Sequence, residues 1–226
     1  MNSEKGDVIS DLPDALICYI LSFLPTKEAA SVLAKRWKHL LAFVPNLDFD
    51  DSSYFHPPMK WEKIRKNSSR FTCFVDSVLA LQATTNAPLN RFHVKCRKVE
   101  DVYYVFDWIP KVLKRGVLDI DVYISMGRSL YLCHLPSKIF VSKTLVRLKI
   151  KIMDGFYIKV KVMFVFRNLR LHLDNFVIKV IMFNKLLAGC NAFEELVLHN
   201  WNWHSEDEPC SVTVSTPTNV QKFARR

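Results

Sequence analysis

A short apolar beat returns five times along the chain and constrains the fold more than any other feature. It reads Leu89-x-x-Phe92-x-Val94, Leu118-x-Ile120-x-Val122, Leu145-x-x-Leu148-x-Ile150, Phe166-x-x-Leu169-x-Leu171 and Phe193-x-x-Leu196-x-Leu198. Taken at 92, 118, 148, 169 and 196, the beats stand 26, 30, 21 and 27 residues apart. Apolar residues at every second position make a strand with one buried face. A strand returning at such intervals means stacked units, none able to bury its apolar face alone. The spacing predicts one strand per unit, laid side by side in a curved parallel sheet.

Helical patterns fill two of the gaps. Val102, Val105, Phe106 and Ile109 share a face before Lys111 to Gly116, and Met182, Phe183, Leu186 and Leu187 do so before Gly189. The beat and its interval are those of leucine-rich repeats, although an ordinary α/β domain alternates strand and helix too. The repeat asparagine is missing from its place, where Trp201 stands with Asn200 one residue off, so an irregular asparagine ladder is expected. Between the buried residues, Arg91, His93, Lys95, Asp119, Asp121, Lys149, Lys151, Arg170, His172, Asp174, Val197 and His199 alternate onto the open face. Their Arg and Lys outnumber their Asp, which suits an acidic or phosphorylated partner as well as a merely solvated face. Trp201 and Trp203 can anchor a partner or plug the core.

The first fifty residues are helical. Pro13 suits a first turn, Asp14 meets the positive end of the helix dipole, and Leu16, Ile17, Ile20, Leu21 and Leu24 are assigned one face. After Pro25, Thr26 is expected to cap a second helix carrying Leu33, Trp37, Leu40, Leu41 and Val44. The stretch from Asp48 to Pro58 reads as a polar turn and boundary, and Ser68-Ser69 as the cap of a helix bearing Phe71, Phe74, Val75, Val78 and Leu79.

Several chemistries are disfavoured. Five widely separated glycines rule out the glycine-rich phosphate loops. The six cysteines stand singly, and His93 with Cys96 lacks two further zinc ligands, so no metal or cofactor is expected. Asp119 and Asp121 have a carboxylate spacing used in hydrolysis but no evident cleft, and no nucleophile elbow is present, so the chain does not read as an enzyme. The net charge of +10 is dispersed, densest from Lys60 to Arg70, which disfavours nucleic acid without removing it. The near-apolar run from Ala15 to Leu24 is half a bilayer span. The chain is expected to be soluble and cytoplasmic and/or nuclear.

The N-terminal residues carry a resemblance. Leu12-Pro13, Leu16, Ile20-Leu21, Leu24-Pro25, Val32-Leu33 and Lys35-Arg36-Trp37, in that order, are similar to the F-box in its plant form linked to leucine-rich repeats. The runs Leu135 to Ile150, Leu171 to Asp174 and Leu187 to Leu198 resemble the repeats that follow it there. The resemblance implies a non-catalytic substrate receptor of a cullin-RING ubiquitin ligase. Leu12, Pro13, Leu16, Ile20, Leu21, Leu24, Pro25, Val32, Leu33 and Trp37 would form the face for a Skp-type adaptor, and its supporting core. Arg91, Lys95, Lys149, Lys151, Arg170, His172 and His199 would meet an unknown target protein.

The expected architecture is α+β. It comprises an F-box-like helical module at 1–50, a helical linker at 51–88 and short irregular leucine-rich repeats at 89–226. In one respect the chain departs from the F-box pattern: the stretch between Pro25 and Trp37 is about two residues short. If the connection after Pro25 absorbs the loss, the second helix starts late and keeps its register from Val32 onward. Family members also continue beyond the point corresponding to Arg226, so the reading includes a truncated member with a frayed, uncapped repeat end. Two alternatives remain open here: a basic protein binding nucleic acid or an acidic partner, and a non-functional remnant.

Overall fold

The computed structural model describes residues 12–32, 35–55, 59–85, 87–97, 103–125, 135–158, 169–188, 193–203 and 222–223. Pro13 sets the start of α1 (Asp14–Leu21), its carbonyl accepting from the Leu16 and Ile17 amides at 2.9 and 3.1 Å. A turn through Leu24 leads to Pro25, whose carbonyl opens α2 (Thr26–Val32) by accepting from Ala29. Thr26 is not the expected cap: it is buried, and its hydroxyl accepts from the Asp48 amide at 2.8 Å. Nor does the second helix start late. It begins directly after Pro25 and gives way to a 3₁₀ segment, Lys35–Phe43. A 3₁₀ helix rises about 2.0 Å per residue against about 1.5 Å for an α-helix, so these nine residues, most of them beyond Trp37, run about 4.5 Å longer than they would as an α-helix.

The strands are β1 (Asn46–Asp50), β2 (Arg91–Cys96), β3 (Asp119–Ile124), β4 (Arg147–Ile158), β5 (Leu169–Ile178), β6 (Phe193–Trp203) and β7 (Lys222–Phe223). They form one sheet in chain order, every pair parallel. A doubly wound α/β sheet reverses its order at a switch point; a solenoid does not. The α+β expectation of a helical module followed by a parallel repeat sheet therefore holds.

Register corrects the phasing. Phe92, Ile120, Leu148, Leu171 and Leu196 lie side by side, separated by 28, 28, 23 and 25 residues. Leu118 and Leu169, the residues the beat points to, lie two positions before Ile120 and Leu171, which share the row. A slip of two keeps each side chain on its own face, so the assigned open face survives.

β1 lies where a polar turn was expected. Asn46–Asp50 pairs with Arg91–Lys95, and only then does a 3₁₀ turn, Asp51–Tyr54, begin, capped by the Asp50 carboxylate accepting from the Ser52 amide at 2.8 Å. The third helix, α3 (Trp61–Ala83), fills the long interval to β2 and starts well before the expected Ser68-Ser69 cap. Ser68 is buried inside it, and the Ser69 hydroxyl donates back to the Arg65 carbonyl at 3.2 Å. Phe71, Val75, Val78 and Leu79 are buried as the stripe predicts.

With α4 (Tyr103–Leu113) and α5 (Val180–Ala188), these helices pack on the inner face of the sheet over Phe92, Ile120, Leu148 and Leu171, with Trp108 and Phe183 fully enclosed. Gly116, at φ +70°, ends α4 in the left-handed conformation. β4, β5 and β6 bend at Gly155, Asn175 and Asn200, all at positive φ. The asparagine ladder is therefore irregular, as expected, yet present. The Asn175 amide donates to the Ile152 carbonyl at 2.9 Å and to that of Met153, and Asn200 donates to the Asp174 carboxylate at 2.7 Å.

β7 pairs Lys222 and Phe223 with Val197 and Leu198. Apart from that pair, the frayed end expected beyond Trp203 lies outside the described residues, as do Leu33, Pro57, Pro58, Val102, Phe166 and Gly189.

Candidate functional site

Two surfaces stand out. On α1 the assigned apolar set divides between opposite sides. Ile17, Cys18 and Leu21 face the core, with Leu12 and Leu24 partly buried against it. Leu16 and Ile20 point outward at 49 and 51% exposure, with Val32 of α2 at 61% and Pro13 and Pro25 exposed. The single face assigned to Leu16, Ile17, Ile20 and Leu21 is therefore two rows, because both sides of α1 are apolar. Tyr19 and Phe23 are also exposed, packed edge to face at 4.9 Å. Their i, i+4 spacing is the sequence signal that places them together. Trp37 lies on the backbone of the 3₁₀ segment; its side chain and Leu33 lie outside the described residues.

The module is fastened to the repeats by a buried amide. Gln82 of α3 donates from Nε2 to the Leu41 and Val44 carbonyls at 3.1 and 2.9 Å, and its Oε1 accepts from Arg115 at 2.8 Å. Arg115 also donates to the Ala87 carbonyl. Burial pushes its guanidinium below the usual value.

The second surface is the open face of the sheet. Three rungs cross it: Asn46, Arg91, Asp119, Arg147, Arg170 and Glu195; then Asp48, His93, Asp121, Lys149, His172 and Val197; then Asp50, Lys95, Tyr123, Lys151, Asp174 and His199. All twelve assigned open-face residues fall here, including the seven target-binding candidates. Missed were Asp48 and Asp50, hidden with β1, and Arg147 and Glu195, one step before the counted residues. They cancel the expected positive lean, because the rungs carry as many carboxylates as Arg and Lys.

Opposite charges meet across neighbouring strands, Asp50 with Lys95 at 3.5 Å and Asp174 with Lys151 at 2.7 Å, and imidazoles stand beside carboxylates, His93 by Asp48 at 2.9 Å and His172 by Glu195 at 3.0 Å. Burial pushes the Asp119 carboxyl above its usual range, against the pull of Arg147 and Arg91. For Asp174 burial acts in the same sense but is outweighed by the hydrogen bonds from Lys151 and Asn200, so its carboxyl is held low.

The remaining candidates resolve by position. His93 lies on the open face and Cys96 is fully buried on the other, which separates that zinc pair, and among the described residues no group of three potential ligands is placed for a metal. Asp119 and Asp121 sit among Arg91, Arg147 and Lys149 as ion-pair partners. Trp201 stacks on Phe183 at 5.3 Å, and Trp203 meets both edge-on, so the pair closes the end of the core. No helix among the described residues is long and apolar enough to cross a membrane.

The F-box domain model matches residues 9–48, which span α1, α2 and the 3₁₀ segment and run into β1. That module leading into a parallel repeat sheet defines an F-box/leucine-rich-repeat protein. F-box/LRR-repeat protein At5g41840 of Arabidopsis thaliana is 63% identical over 225 residues, covering 95% of this chain and 41% of its own length. Two others from the same organism, At4g00320 and At3g59190, are 56 and 46% identical, covering 97 and 94% of this chain and 45 and 55% of theirs. Residues 9–48 thus match the F-box, and over nearly its whole length the chain is similar to F-box/leucine-rich-repeat proteins of this plant. It spans about half the length of the curated relatives it matches. No solved structure matches it.

Proposed function

We propose that the chain is a substrate-receptor subunit of an SCF-type ubiquitin ligase. Leu16, Ile20 and Val32, with Pro13 and Pro25, make the contact with a Skp-type adaptor and through it a cullin. Leu12, Leu21 and Leu24 support that face from below; Leu33 and Trp37 belong to it by resemblance. The sheet face at Arg91, Lys95, Lys149, Lys151, Arg170, His172 and His199 holds the target protein. The chain works by proximity and carries no catalysis of its own. It acts where ligase and target meet, in the cytoplasm or nucleus. The roles divide as module at 1–50, helical segment at 51–88 and repeats from 89, although β1 of the module is also the first strand of the sheet.

One observation carries the reading. A short helix, anchored by Ile17 and Leu21, leaves a second apolar row of Leu16 and Ile20 in solvent, and solvent is a costly place for such a row without a partner. The test is a pull-down of a purified Skp-type adaptor by the chain and by Leu16→Asp. Retention by the wild type and loss by the folded variant support the proposal. Equal retention by both, or by neither, contradicts it.

A further inference from the structure

The ion pairs of the sheet face differ in length. Lys151 and Asp174 close to hydrogen-bond length at 2.7 Å, whereas Lys95 and Asp50 stand 3.5 Å apart. Those around Asp119 and Asp121 stay open. Arg91 Nε is 3.9 Å from Asp119, Arg147 Nε 3.5 Å from the same carboxylate, Arg147 Nη2 3.8 Å from Asp121 and Lys149 Nζ 3.5 Å from Asp121. All four exceed the roughly 2.7–3.2 Å of an N–H···O bond. None of these five side chains makes a hydrogen bond among the described residues, and Arg91 Nε and Asp119 Oδ1 are buried polar atoms without one.

Height separates the charges. The Arg91, Arg147 and Lys149 side chains are 42, 41 and 47% exposed, whereas Asp119 and Asp121 are only 23 and 10% exposed. Two carboxylates thus form a floor under a rim of three cations on three adjacent strands, and the rim holds unused donors. Fork-shaped guanidinium donors beside an ammonium suit an oxyanion.

We propose that Arg91, Arg147 and Lys149 form a subsite for a carboxylate, one acidic side chain of a target segment lying across β2 to β4. The inference rests on the reading of the sheet face as the target surface and names the chemistry it selects. Charge decides between carboxylate and phosphate. Three cations over two carboxylates leave a single positive charge, which one carboxylate neutralises. A phosphate, at about −1.5 to −2, would over-neutralise it above two recessed acids.

The test uses capped Gly-Gly-X-Gly-Gly peptides with X as Glu, Gln or phosphoserine, titrated into the full ¹⁵N-labelled chain. The readout is the Nε–Hε resonances of Arg91 and Arg147, assigned with single Arg→Lys variants. The Glu peptide should shift both saturably in the millimolar range, the Gln peptide neither, and phosphoserine should bind no more tightly than Glu. Lys149→Met should weaken the Glu peptide several-fold. Asp119→Asn, which removes one floor charge, should strengthen the phosphoserine peptide by about tenfold. The proposal is overturned by equal shifts from Glu and Gln, by no saturable shift, or by much tighter binding of phosphoserine or of a short single-stranded DNA. The adaptor takes no part in this titration, so its outcome and that of the adaptor pull-down are independent.

Discussion

Gln82 and Arg115 meet at 2.8 Å beneath the join of the helical module and the repeats, the Gln82 carbonyl oxygen accepting while its amide holds the Leu41 and Val44 carbonyls. A single side chain thereby satisfies one main-chain acceptor in the 3₁₀ segment and one just beyond its end, and borrows its orientation from the repeats. Gln82→Leu leaves both carbonyls buried without a donor and should cost about 2–6 kcal/mol, at roughly 1–3 kcal/mol per orphaned group. Urea unfolding of the two proteins checks this; a loss below measurement would show that the join does not depend on Gln82.

How much of this could be read from the sequence depends on what each signal measures. The Leu-x-Leu beat reports alternation, and alternation survives a slip of two residues, so Leu118 and Leu169 were misphased without harm to the face. It fails at β1, because α3 stretches the interval to β2 beyond a repeat length and Asp48 and Asp50 imitate a turn. On α1 the 3.6-residue period finds apolar residues but cannot rank two apolar rows. Only the packing of Ile17 and Leu21 against the core singles out Leu16 and Ile20 as the free side.

That division predicts opposite outcomes on one helix. Leu21→Ala opens a cavity in the core and should destabilise the chain by about 2–4 kcal/mol. Leu16→Ala should change stability by less than about 0.5 kcal/mol. Thermal unfolding of the two variants decides it, and equal losses would place Leu16 in the core as well.

Asp174 and Asp119 predict opposite pH behaviour. A carboxyl held low in the fold stabilises it above the unfolded value of about 3.9, and that contribution disappears as the pH falls through the folded value. Asp174→Asn should therefore destabilise the chain at pH 7, on the order of 1 kcal/mol for a partly exposed pair, with the gap to wild type closing in acid. The Asp119 carboxyl is held high, so its contribution is present below the unfolded value and lost as the pH rises through the folded one. Asp119→Asn should be neutral or stabilising at pH 7. Urea midpoints of all three proteins across this range provide the check.

Asn175 stands at φ +63° and donates to the Ile152 carbonyl. Asn175→Ala loses the bond and keeps the strained backbone, for an expected cost of about 1–3 kcal/mol. Asn175→Gly should recover part of it, and hydrogen exchange at Ile152 and Phe176 should report the opening locally. Identical stability of the Ala and Gly variants would mean that the left-handed bend stores nothing.

The central claim is that the shortened segment between Pro25 and Trp37, which carries α2 and leads into the 3₁₀ segment Lys35–Phe43, still supports the adaptor. Calorimetric titration of a purified Skp-type adaptor tests it most directly, into the chain as it stands and into the same chain with Ser-Thr inserted after Ala30. The account predicts saturable one-to-one binding by both, with similar affinity. Binding by the lengthened chain alone, with both proteins folded by circular dichroism, would contradict it.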